Sequence, residues 1–99
     1  MKKIIRGKLY DTDTAQQLAE TYNYFGDFSD YEEELYRKRT GEYFLHGKGG
    51  PTSKYAEPCG HGQSNGENIF PLSEGEAREW AEANITAEEY IMIFGKVDE

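Results

Sequence analysis

Apolar positions fall in short runs, and their spacing predicts which elements each run builds. Lys2 to Tyr10 can place Ile5 and Leu9 on one side of a period-two ladder, the pattern of a strand. Asp11-Thr12-Asp13-Thr14 then offers several helix N-caps, with Thr14 at capping-box spacing from Gln17. Ala15, Leu18, Ala19 and Tyr22 follow at i, i+3, i+4 and i+7. That stripe predicts a helix ending near Asn23, with Gly26 beyond it.

Tyr31–Lys38 and Glu42–His46 flank Arg39-Thr40-Gly41, a short connection whose glycine suits a hairpin. Polar and apolar residues alternate along both arms without leaving one clean apolar face. Asn68–Leu72 reads as a last strand, and Pro71 directs it to a sheet edge because it lacks an N–H. Ser73-Glu74-Gly75-Glu76 and Thr86-Ala87-Glu88-Glu89 are two capping boxes. The first opens a helix through Asn84, with Ala77, Trp80, Ala81 and Asn84 on one stripe. The second opens a helix from Ala87 to Phe94, closed by Gly95 in a left-handed conformation. The predicted class is α+β, an antiparallel sheet of three to four strands with three helices packed on it, in the order β-α-β-β-(β)-α-α.

Between the hairpin and the last strand, residues 47–68 hold six of the eleven glycines and two of the three prolines. Such a stretch inside one 1–99 domain reads as a long loop, broken at most by a short strand near Lys54-Tyr55-Ala56.

Composition complicates this picture. Leu, Ile, Val and Phe total only 17 of 99 residues and the net charge is −8, a balance close to that of disordered chains. Eight Tyr, five Phe and one Trp are the compensation, since each aromatic buries roughly 150–250 Å². The longest apolar run, Tyr90–Phe94, is far short of a membrane span, and no signal-peptide core follows the basic start. A single cysteine, Cys59, leaves no internal disulfide and fits a reducing, cytoplasmic compartment.

Charge is blocked as well as unbalanced. Residues 9–36 carry eight acids and no Lys or Arg, whereas residues 37–54 carry five cations and Glu42 alone. Nucleic-acid binding relies on neutralising phosphates with cations, so direct DNA binding is not expected. An acidic surface instead suits a basic protein partner. Within the cation-free block, Glu32, Glu33 and Glu34 lie on a predicted strand, with Glu32 and Glu34 on one face and Glu33 on the other. Tyr22, Tyr24, Phe25, Phe28 and Tyr31 cluster beside Asp27 and Asp30, a mixture suited to both a core and an interface. The candidate partner-binding residues are Tyr24, Asp27, Phe28, Asp30, Tyr31, Glu32, Glu33 and Glu34.

Other chemistry is poorly supported. Cys59, His61 and His46 lack the spacing of a zinc site. Cys59 and His61 sit between glycines, where a nucleophile–base geometry is entropically costly to hold. Gly47-Lys48-Gly49-Gly50 lacks the phosphate-loop order and reads as a turn needing positive φ. No catalytic residue, metal or cofactor is expected.

Several segments together resemble a known group: Ile5–Ala15, Glu34–Arg37, Thr40–Gly50, Lys54–Glu57, Ile69–Ser73 and Ala77–Trp80. They are similar to small proteins carried by bacterial mobile elements and phage, some of which are anti-CRISPR proteins that inhibit type II-A Cas9. The resemblance implies an inhibitor that binds a Cas effector nuclease and blocks nucleic-acid binding or cleavage, and it brings no catalytic set. Cas9-type effectors hold nucleic acid in positively charged channels, so rows of carboxylates could stand in for phosphates there. A non-inhibitory regulatory module of a mobile element shares these features, and a small enzyme using Cys59 and His61 is the third reading.

Overall fold

Strand pairing explains why the central hairpin has no clean apolar face: both of its faces are covered. The computed structural model describes all residues, 1–99. In chain order the elements are β1 (Lys2–Ile5), β2 (Lys8–Asp11), β3 (Gln16–Asn23), β4 (Tyr31–Arg37), β5 (Tyr43–Gly49), β6 (Glu57–Cys59), β7 (Gly62–Ser64), β8 (Gly66–Leu72), α1 (Glu74–Asn84) and α2 (Ala87–Phe94). An antiparallel sheet of order β3-β4-β5-β8 forms the centre, with β1-β2 and β6-β7 as separate hairpins.

On one face Leu35, Tyr43 and Leu45 meet Ala77 of α1, with Leu18, Leu72, Trp80 and Phe94 packed around them. On the other, Tyr36, Phe44 and Ile69 meet Tyr10 of the β1-β2 hairpin, with Ile5 and Ala15 at the margin. Phe44 stacks on Tyr36 at 5.1 Å and takes Tyr10 edge-on at 5.6 Å. Aromatics thus supply the area that the scarce aliphatics cannot. The core is still thin. Only 16 of 99 residues are buried, and the radius of gyration of 14.7 Å exceeds the ~13 Å of a compact chain this size.

The helix expected over residues 14–23 is strand β3, so two helices are present rather than three. A register shift between Gln17 and Ala19 explains the misleading pattern. The bulge breaks the alternation and lets the adjacent Leu18 and Ala19 both join the core side, which imitates helical i, i+3, i+4 spacing. The cap signals before it close a turn: the Asp13 N–H donates to Asp11 Oδ1, and the Ala15 N–H to the Asp11 carbonyl. Likewise Lys2–Tyr10 is not one strand. Arg6 and Gly7 both have positive φ (52° and 78°), making a two-residue turn between β1 and β2.

The 47–68 segment is also more ordered than expected. Gly47–Gly49 continue β5, and no positive φ occurs from Gly47 to Gly50. Lys54-Tyr55-Ala56 lie in a turn, and the short strand begins one residue later, at Glu57. The hairpin at Arg39-Thr40-Gly41, the edge position of Pro71 in β8 and both capping boxes are as expected. Gly95 closes α2 with positive φ (92°) but an extended ψ of −171°, not the left-handed helical conformation.

The two caps should differ when removed. Ser73→Ala is expected to cost about 1 kcal/mol in urea denaturation, because α1 buries Ala77 and Ala81 fully. Thr86→Ala is expected to show instead as faster amide exchange within α2, a helix with no fully buried residue.

Candidate functional site

Where the β1-β2 hairpin stops covering the sheet, the face it leaves open carries charged side chains. Glu32 and Glu34 of β4 project there beside His46 and Lys48 of β5, their register partners, and Glu67 of β8 joins them. Glu20 and Tyr22 of β3 pair with Glu34 and Glu32 and extend the same face. An open groove of about 770 Å³ runs here, lined by Tyr22, Tyr24, Asp30, Tyr31, Glu32, Lys48, Glu57 and Glu67 among others.

Much of this charge is internally paired. His46 is buried, with Nδ1 2.8 Å from Glu34 and Nε2 2.7 Å from Glu67. Carboxylates only accept, so both bonds form together when the imidazole carries both protons or one carboxyl is protonated. Lys48 Nζ reaches Glu32 at 2.9 Å. Glu20 accepts from the Tyr22 hydroxyl at 3.2 Å, and its charge raises the Tyr22 phenol above its ordinary value. Asp30 and Glu57 in the groove, and Glu20 beside it on the same face, have no cationic partner, so this face keeps an acidic surplus.

The loop between β3 and β4 forms the upper wall. Asp30 Oδ1 accepts from the Phe25 and Gly26 N–H groups, and Asp27 caps Ser29 through both its N–H and hydroxyl. The Ser29 donors hold the Asp27 carboxyl below the usual range. Backbone bonds from Gly50 N–H to Asp30 O and from Thr52 N–H to Phe28 O tie this loop to the turn after β5. The fixed loop leaves its aromatics in solvent: Tyr24 is 76% exposed, Phe25 61% and Phe28 70%. Tyr24 lies parallel to Tyr22, with ring centroids 5.8 Å apart.

Tyr24, Asp30, Tyr31 and Glu32 line the groove together, while Asp27 and Phe28 stand on the adjoining loop. Glu34 lies on the same face but is engaged with His46. Glu33, expected among the partner-facing residues, belongs to the opposite face and is 4% exposed. It accepts from the Tyr55 hydroxyl, from Trp80 Nε1 at 3.1 Å and from Lys54 Nζ at 2.9 Å. It is therefore removed from the interaction surface and assigned to the core. Tyr22, Lys48, Glu57 and Glu67 went unselected by sequence reasoning because four other strands deliver them. Tyr22 alone carried a local signal, its period-two relation to Tyr24.

Cys59 and His61 lie exposed at the β6-β7 turn, remote in topology from the buried His46 of β5, and no group of three His, Cys, Asp or Glu side chains could hold a metal ion. No helix is long and apolar enough to cross a membrane. Compared with protein-family models, curated proteins and solved structures, the chain matches none.

Proposed function

We propose that this protein is a non-enzymatic inhibitor that acts by binding a basic protein in the bacterial cytoplasm. We assign that partner to the Cas9-type effector nucleases. The observation that carries the reading is the joining of exposed Tyr24, Phe25 and Phe28 to an acidic groove in which Asp30 and Glu57 have no cationic partner, with unpaired Glu20 beside it on the same sheet face. Solvated aromatics are costly unless something covers them, and aromatic anchors inside a charged rim are the anatomy of protein interfaces. The resemblance of Thr40–Gly50 and its neighbouring segments to mobile-element inhibitors supplies the partner class. A basic channel that normally holds phosphates is complementary to the groove's surplus charge.

The test is a cleavage assay with a Cas9–guide complex, with direct binding measured in parallel. Tyr24→Ala combined with Phe28→Ala is expected to weaken binding by about 30-fold, the loss of one hot-spot contact. Glu20→Lys with Glu57→Lys is expected to slow association, an effect that shrinks as salt is raised. Full inhibition by both double variants would overturn the reading.

A further inference from the structure

The two edges of the central sheet are built differently. On β8, Pro71 has no N–H and the Asn68 side chain takes the Ile69 N–H, so that edge is blunted against pairing. On β3, only β4 is hydrogen-bonded, and no backbone group of Gln16–Asn23 bonds to anything outside that ladder. The bulge between Gln17 and Ala19 guards the start of the strand. Ala19 to Asn23 have neither Pro, Gly nor Lys, and lie straight along Glu33–Leu35 and their neighbours in regular register. These five residues run directly into Tyr24 and the exposed loop.

We propose that the β3 edge binds an extended partner segment as a fifth strand, one carrying Lys or Arg at alternate positions. This rests on the basic-partner reading above and specifies how that partner is held. In a strand added beside β3, every second side chain lies on the face of Glu20 and Tyr22. A cation there meets the Glu20 carboxylate and the stacked Tyr22 and Tyr24 rings, with Glu32 and Glu34 one strand further in. The same charges disfavour a second copy of this chain, since pairing two β3 edges would bring together two molecules of net charge −8. Main-chain bonds would supply affinity and alternating cations the selectivity.

The probe is a synthetic peptide of about nine residues with lysine at alternate positions and threonine or valine between, titrated into the intact protein. Binding is expected to slow amide exchange across Ala19–Asn23 and to fall as salt rises. A peptide N-methylated at alternate residues is expected to bind at least ~10-fold more weakly, because one row of ladder donors is gone. The same spacing built with glutamate is expected not to bind, and Glu20→Lys to weaken the lysine peptide about fivefold. Equal binding of the N-methylated peptide, protection confined to other residues, or no binding by the lysine peptide would overturn strand addition. So would a β3-paired dimer of the free protein in solution. Capture of a Cas9-type partner that survives these failures leaves the acidic-surface reading standing; loss of strand addition and partner capture together removes both.

Discussion

Glu33→Ala is expected to lower stability by about 3 kcal/mol in urea denaturation, more than any substitution on the exposed carboxylate row. The reason is the company Glu33 keeps. Its opposite residue in β5 is Gly47, whose missing side chain leaves room for the Tyr55 ring to reach across and donate its hydroxyl. Trp80 Nε1 donates from α1 and Lys54 Nζ from the turn, so one carboxylate ties the sheet, the helix and the 50–56 turn together. Removing it strands the tyrosine and tryptophan donors in a site closed to water.

Burial alone would push the Glu33 carboxyl up. The bonds from Tyr55, Lys54 and Trp80 together outweigh it, and its value is lowered. The sign follows: the contribution is complete above the unfolded carboxylate range of about 4.3 and is lost as pH falls through the depressed folded value. Glu33→Gln keeps the shape but not the charge. Its stability deficit is therefore expected to be present at pH 7 and to shrink below about pH 4, measured by urea titration at each pH.

That residue also marks what the sequence could and could not disclose. Signals confined to a few neighbours were legible: both capping boxes, the Arg39-Thr40-Gly41 hairpin and the edge position of Pro71 are set by local geometry. Even the separation of Glu33 from Glu32 and Glu34 followed from alternation. What alternation could not tell was which of the two faces would be buried, since that depends on Tyr55 and Trp80, 22 and 47 residues away. Strand β3 was hidden for a different reason, because its bulge made Leu18 and Ala19 repeat at helical spacing. The groove assembles Tyr22, Lys48, Glu57 and Glu67 from separate strands, so no contiguous segment announces it. Asp27 and Asp30 were found as charges, but they also cap the loop that presents Tyr24, Phe25 and Phe28.

Gly66→Ala is expected to be comparably damaging, at about 3 kcal/mol or beyond, because a methyl group there would strike the Tyr55 backbone carbonyl. Gly47→Ala would strike the Tyr55 ring instead, forcing it away from Glu33. The two clashes separate in a double-mutant cycle with Tyr55→Ala. Once the ring is absent, Gly47→Ala should cost little more, so the pair is strongly non-additive. Gly66→Ala should keep most of its cost in the same background, since the carbonyl remains. Additive losses for Gly47→Ala and Tyr55→Ala in urea denaturation would show that the ring is not what holds Gly47 small. Gly47 and Gly66 are thus explained by close approach to Tyr55, not by a mobile loop. Tyr55 in turn packs against Tyr31, at 6.0 Å between ring centroids, so this lock also sets the wall of the acidic groove.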